Sequence, residues 1–232
     1  EEGARAASSH TGALAGADVT VSAFLEQCGV LRADTIEELF DIARAFERCA
    51  PPAGRRVGIL TNAGGPGILA TDACVSFGLE IPPLSEKTRQ ALRSFLPRVA
   101  SVDNPVDMIA SATADQYALS LATLLEDPEL DAALAINVTP VLSDPHDILE
   151  RIADVARGSG KPVLAVMMAR DEFYAAVKGR PELPPVYAFP ESAARALARL
   201  AAYGEWRRRP ADEPQPELPM DDAAIAAELD GA

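Results

Sequence analysis

Two histidines stand in the 232 residues, His10 and His146, and they bound the acid–base and nucleophilic chemistry open to the chain. His10 lies in Ala7-Ser8-Ser9-His10-Thr11-Gly12-Ala13-Leu14-Ala15-Gly16, a run of small residues with no apolar period and no core to join. An imidazole there is exposed and mobile, which suits a nucleophile that must visit two places. His146 follows Pro145 between Asp144 and Asp147, the pattern of a solvated first helical turn. No other His or suitably spaced Cys accompanies either one, so neither a Ser–His–Asp arrangement nor a metal site follows.

Three turns have the composition of ligand sites. Asn62-Ala63-Gly64-Gly65-Pro66-Gly67 is glycine-rich: its glycines let a backbone approach a ligand, Pro66 suits a first helical turn, and free N–H groups there favour an anion. It is neither G-x-G-x-x-G nor a P-loop, and on spacing alone a tight strand-to-helix connection fits it as well as a phosphate cradle. Asn137-Val138-Thr139-Pro140-Val141 follows an apolar run and reads as a turn into a helix or as a ligand contact. In Asn104-Pro105-Val106-Asp107-Met108, Asp107 is a helix cap or a ligand contact.

The elements that must position these turns alternate regularly. Short apolar runs at Val57–Thr61, Leu79–Ile81, Asp131–Val138, Pro162–Met168 and Val186–Phe189 read as buried strands. Helical patterns lie between them: one through about Phe77, one capped by Ser85 and bearing Leu92, Phe95 and Leu96, then 114–126, 146–157, 171–178 and 191–204. Strands alternating with helices imply a parallel sheet covered on both faces. The expected fold is α/β, a flavodoxin-like doubly wound parallel sheet, and in such sheets ligands bind outside the carboxyl ends of the strands. Ahead of it, Val21, Phe24, Leu25 and Cys28 form one helical face that Gly29 ends. Thr35-Ile36-Glu37-Glu38 is a capping box opening a helix with Ile36, Leu39, Phe40, Ala43 and Phe46 on one face. The Ala50-Pro51-Pro52-Ala53-Gly54 stretch reads as a boundary, which divides the chain into 1–50, 51–205 and an acidic, Pro-rich linker over 206–232.

Apolar residues make up 48% and charged residues 24%, an ordinary folded composition. The net charge of −14 argues against nucleic acid, and half of it comes from seven acids in residues 211–232. No run of eighteen apolar residues suggests a membrane span. Cys28, Cys49 and Cys74 are odd in number and far apart, as in a reduced, cytoplasmic chain. The opening EEGARAASSH lacks a starting Met and a signal pattern, and reads as cut from something larger.

Taken together, Ser9–Gly16, Phe24–Leu39, Val57–Asp72, Asn104–Met108 and Asn137–Pro140, in that order, resemble the NDP-forming acyl-CoA synthetases, relatives of succinyl-CoA synthetase. The resemblance covers about residues 1–205. It implies a remnant of a first CoA-ligase domain carrying a phosphohistidine loop over 1–50, and a second CoA-ligase domain over 51–205. It implies that an acid, CoA and ATP or GTP give acyl-CoA (acetyl-CoA or another short-chain acyl-CoA), NDP and phosphate through an acyl phosphate, with His10 as the phosphoryl carrier. A neutral imidazole nitrogen attacks phosphorus near pH 7, and the P–N bond stays reactive enough to pass the group on. By the same resemblance Asn62, Ala63, Gly64, Gly65 and Gly67 hold the phosphoryl group, while Asn62, Asn137, Thr139, Pro140 and Val141 face the carboxylic acid. CoA and ATP with Mg²⁺ fall to CoA-binding and ATP-grasp domains, in cis or as another subunit, in an oligomeric cytoplasmic enzyme. The 232 residues alone are expected to be inactive. Two other readings stand beside this one: a non-catalytic ligase-like regulatory module of a protein acetyltransferase fusion, which would not need His10, and a flavin or nucleotide binder, for which an aromatic content of 5% offers few rings.

Overall fold

Val57–Thr61 is apolar, short and flanked by Arg56 and Asn62, and all five of its residues are buried. A strand covered on both faces needs helices above and below it, and therefore parallel neighbours joined by crossovers. The computed structural model, which describes residues 18–139 and 144–210, has that arrangement. Two helices, α1 (Asp18–Gln27) and α2 (Ile36–Arg48), come first. Then follow β1 (Val57–Thr61), α3 (Gly64–Ser76), α4 (Glu86–Phe95), β2 (Val106–Asp107), α5 (Ala114–Leu125) and β3 (Ala132–Val138). The series continues with α6 (Pro145–Arg157), β4 (Val163–Met168), α7 (Asp171–Val177), β5 (Val186–Tyr187) and α8 (Pro190–Arg208). The five strands pair in parallel in the order β2-β1-β3-β4-β5. The protein is a doubly wound α/β fold.

Side chains alternate across the sheet, as a period of two requires. Leu60, Ala133, Ala135 and Val163 face a layer made by α4, α5, α6 and α7, where Leu92, Leu121, Leu124, Ile148 and Ile152 are buried. Val57, Ile59, Leu134, Ile136 and Val166 face the opposite layer of α2, α3 and α8. That second layer is rich in alanine, with Ala45, Ala70, Ala73, Ala193, Ala194 and Ala201 all buried, so its helices approach closely. Two ion pairs pin the lead-in to β1. Arg55 donates to both carboxylate oxygens of Glu205 on α8 at 2.7 and 2.6 Å, and Arg56 to both of Asp131 at 2.9 Å. Burial alone would raise the Asp131 carboxyl, but the Arg56 guanidinium and backbone N–H outweigh it and hold the group below the usual carboxylate range.

The structure corrects three expectations. Leu79–Ile81 is not a strand: it meets β1 through one bridge, Glu80 to Arg56, because Pro82 and Pro83 follow and cannot donate to a ladder. The fifth strand is Val106–Asp107, inside what reads as a loop. Between these two contacts the side chain of Asn104 stands in for backbone, accepting from Ile59 N–H at 3.0 Å and donating to the Val57 and Pro82 carbonyls at 2.9 Å. The second correction concerns α2, which turns its other face inward. Glu38, Asp41, Ile42 and Ala45 are buried, while Ile36, Leu39, Phe40 and Ala43 point to solvent and Phe46 is half-buried. The buried acids are matched by α8: Arg199 bonds Glu38 at 3.2 Å, and Arg195 lies 3.5 Å from Asp41. Third, α8 runs to Arg208, past the expected end at 204, because Gly204, Tyr203 and Trp206 still have partners. A Cβ on Gly204 would sit 2.8 Å from Pro51, Tyr203 stacks on Trp206, and Trp206 donates to the Gln27 carbonyl at 3.1 Å. Gly29, at φ +72°, ends α1 against the same indole, where any side chain would collide.

Candidate functional site

The carboxyl ends of β1 and β3 lie side by side, since Thr61 registers with Ile136. The turns that follow them, Asn62–Gly67 and Asn137 onward, therefore meet at one end of the sheet. The Thr61 hydroxyl opens the first turn, accepting from Ala63 N–H at 3.1 Å while donating to the Ala63 carbonyl at 3.0 Å. Helix α3 starts at Gly64 with Ala63 as its N-cap, a residue with no side-chain oxygen to accept from the first N–H groups. The thirteen-residue helix thus presents amide donors and the positive end of its dipole at the strand end. A Cβ on Gly65 would meet nothing within 4 Å, so this part of the turn is open. Gly67 is needed for a different reason: a Cβ there would lie 3.1 Å from Thr61 Cγ2.

Asn62 has its side chain turned into the protein, 3% exposed. Its Nδ2 donates to the Val138 carbonyl and its Oδ1 accepts from Val138 N–H, both at 2.9 Å. Asn137 is fully buried, and its Nδ2 donates to the Tyr117 hydroxyl at 3.2 Å, which itself donates to the Ile136 carbonyl at 2.8 Å. Burial pushes the Tyr117 phenol well above its ordinary pKa, so it stays a neutral donor. Thr139 Oγ1 lies 3.5 Å from Asn137 Oδ1. The two asparagines expected at a substrate thus have their side chains committed within the protein: Asn62 fastens the β1 end to β3, and Asn137 ties β3 to Tyr117 of α5.

Asp107 completes the site from β2. Its Oδ1 accepts from Ile109 N–H at 2.9 Å, holding Ile109 at φ 65°, and its Oδ2 lies beside Gly64, 3.3 Å from where a Cβ would be. A β-branched residue in the left-handed region is strained, and here the Asp107 bond maintains it. His146 is half-buried against the Phe173 ring, 4.8 Å between centroids, rather than solvated. His10, Pro140 and Val141 lie outside the described residues. The structure therefore brings Asn62, Ala63, Gly64, Gly65 and Gly67 together with Asn137 and Thr139, and adds Asp107, Asn104 and Tyr117 as supports. Tyr117 carries no local signal, since its partners come from another element nineteen or more residues away. A separate cleft of about 350 Å³ beside α8 is lined by Arg32, Arg55 and Arg199, but these guanidiniums already pair with Asp18, Glu205 and Glu38. Among the described residues no three His, Cys, Asp or Glu side chains are grouped to hold a metal ion, and no helix is long and apolar enough to cross a membrane.

Comparison with known proteins gives two family matches: residues 1–46 match the succinyl-CoA ligase like flavodoxin domain, and residues 57–213 the Ligase-CoA domain. The chain is 45% identical to the alpha subunit of an ADP-forming acetate–CoA ligase II of Pyrococcus furiosus, over 86% of this chain and 45% of that subunit. It is 34% identical to an ADP-forming 4-hydroxybutyrate–CoA ligase of Nitrosopumilus maritimus, over 88% of this chain and 29% of the ligase. Among solved structures, the dinucleotide-forming acetyl-coenzyme A synthetase 1 of Ca. Korarchaeum cryptofilum, in complex with phosphate and ADP, superposes with a TM-score of 0.81 at 31% identity, covering 89% of this chain and 45% of that one. The chain spans less than half the length of these relatives.

Proposed function

The chain belongs to the Ligase-CoA domain family, and from that membership we propose that it is the part of an ADP-forming acyl-CoA synthetase where a phosphohistidine meets the acyl site. A short-chain acid, the class that names both curated relatives, is joined to CoA while ATP gives ADP and phosphate. An imidazole nitrogen of His10 attacks the γ-phosphorus of ATP with Mg²⁺, a P–N bond forms and ADP leaves. The acid's carboxylate then attacks that phosphorus, the P–N bond breaks, and an acyl phosphate results. The CoA thiolate attacks its carbonyl carbon and phosphate departs. The backbone N–H groups of Gly64 and Gly65 and the α3 dipole neutralise the phosphoryl dianion, and Gly67 lets the turn sit close against Thr61. Thr139, Pro140 and Val141 flank the acid, while Asn62 and Asn137 hold that turn in place. CoA and ATP with Mg²⁺ are held chiefly by CoA-binding and ATP-grasp domains, in cis or as another subunit. The enzyme works in the cytoplasm, where its three free cysteines stay reduced.

The observation that carries this reading is the α3 N-terminus itself: a helix capped by alanine, opening on two glycines, at the carboxyl end of a parallel strand. The test is to incubate the enzyme, complete with its nucleotide-binding part, with γ-labelled ATP and Mg²⁺. Acid-labile, base-stable label that disappears in His10→Asn is expected. ATP binding without such label would overturn the phosphohistidine role.

A further inference from the structure

The chain carries 21 Lys and Arg residues, and one of them stands where the parallel sheet presents its ligand end. The segments that leave the carboxyl ends of β1 to β5 are 62–63, 108–113, 139–144, 169–170 and 188–189. Arg170 is the single Lys or Arg in them, and the first turn of each following helix adds none. The other charges at this end are carboxylates, among them Asp107 of β2, Asp144 and Asp147 at the start of α6, and Asp171 and Glu172 at the start of α7. Arg170 is exposed, and its side chain makes no capping bond to α7. Among the described residues no carboxylate pairs with it, neighbouring Asp171 and Glu172 included, whereas Arg55, Arg180 and Arg199 are all paired.

Its place in the sheet puts Arg170 beside the turn proposed to receive the acid. Strands β3 and β4 are neighbours with Val138 in register with Met168, and Thr139 N–H donates to the Met168 carbonyl at 3.3 Å. Arg170 follows Met168 by two residues, so it leaves the sheet on the β4 side of the turn that begins at Thr139. The proposed chemistry needs a cation at that point. A carboxylate must approach a phosphoryl dianion whose charge the α3 amides already engage, and the surrounding acids repel it as well. A guanidinium matches a carboxylate with paired N–H donors and stays charged at every working pH. We infer that Arg170 binds the carboxylate of the acid substrate and holds it beside Thr139 for attack on the phosphorus. The inference rests on the ligase reading of the site and adds to it the residue that answers the substrate's charge.

The test is steady-state kinetics of the complete enzyme, with acetate and with 4-hydroxybutyrate, alongside label on His10 from γ-labelled ATP. Arg170→Gln is expected to raise KM for the acid at least about tenfold, the scale of a lost hydrogen bond to a charged group, with KM for CoA and the His10 label unchanged. Arg170→Lys keeps the charge without the paired donors and should fall between the two. Arg207→Gln, at an exposed arginine near the far end of α8, should match the parent. The urea midpoint of Arg170→Gln should equal the parent's, because the side chain is exposed; a lowered midpoint would make the residue structural and overturn the inference. An unchanged KM for the acid, a fall in kcat alone, or a rise in KM for CoA instead would overturn it while leaving the ligase reading intact. Absence of label from His10 in the parent, or of turnover with either acid, would overturn that reading and the inference with it.

Discussion

The side-chain amide of Asn62 and the main-chain amide of Val138 bond reciprocally, each donating to the other at 2.9 Å. They form one further rung of the β1–β3 ladder beyond Thr61 and Ile136, built half from side chain. Removing that amide orphans the N–H and the carbonyl of half-buried Val138. Asn62→Ala is expected to lower stability by about 2 kcal/mol, the scale of buried polar groups left unsatisfied. Urea unfolding measures it, and a residue serving only as a ligand contact would leave the midpoint in place.

Gly65 and Gly67 separate chemistry from packing. Gly65→Ala enters open space in a helix and should leave stability unchanged or raise it by up to ~1 kcal/mol, while lowering phosphoryl label on His10 by obstructing the N–H groups. Gly67→Ala presses a methyl against Thr61 Cγ2 and should cost about 1–3 kcal/mol through overpacking. Paired unfolding and labelling measurements check both, and equal label in Gly65→Ala and the parent would remove Gly65 from the site.

The carboxyls of Asp131, Asp127, Glu38 and Glu205 all lie below their ordinary range, each because hydrogen bonds or a guanidinium outweigh or accompany the cost of burial. They bind a proton less readily folded than unfolded. Their contribution to stability is therefore complete above the ordinary carboxylate range, near pH 4–5, and is lost as pH falls through their folded values. The urea midpoint should be flat near neutrality and fall steeply in acid. Asp131→Asn should be less stable at pH 7 and show a shallower acid limb, which midpoints at several pH values will record.

The three thiols should react at different rates. Burial pushes the Cys74 thiol up to about 12 and Cys49 up to about 11, whereas Cys28 is exposed. A thiol reagent at pH 8 should modify one cysteine quickly in the native protein and all three after denaturation. Mass spectrometry should place the fast label on Cys28, and fast labelling of Cys74 would show that α3 opens readily.

The central strands were legible in the sequence because each is an apolar run closed off by charge, glycine or proline, and burial on both faces leaves no other composition. β2 was not, because two residues carry no period and the bonds that secure its neighbourhood come from the Asn104 side chain. Leu79–Ile81 has the composition of a strand but only Glu80 reaches β1 before two prolines end the pairing. The apolar stripe of α2 was legible as a stripe; which face turns inward depended on Arg195 and Arg199, more than 150 residues away. At the candidate site the glycine turn could be read from residue types alone. Asn62 and Asn137 looked like ligand contacts because their structural partners, Val138 and Tyr117, are brought to them only by the sheet.

Both rims of the sheet are finished without a full-length strand. On one side the exposed edge of β1 is shared among Glu80, the Asn104 amide and the two residues of β2. On the other, Arg44 of α2 donates to the Val186 carbonyl of β5 at 2.5 Å, and Arg48 reaches the Arg180 and Leu183 carbonyls at 2.8 and 3.1 Å. Among the described residues, the rim strands β2 and β5 are two residues long each, a short length for a strand from another chain to extend. Short rims of this kind disfavour edge-to-edge polymerisation, and the Asn104 carboxamide on one side and the Arg44 guanidinium on the other occupy backbone groups that an added strand would need.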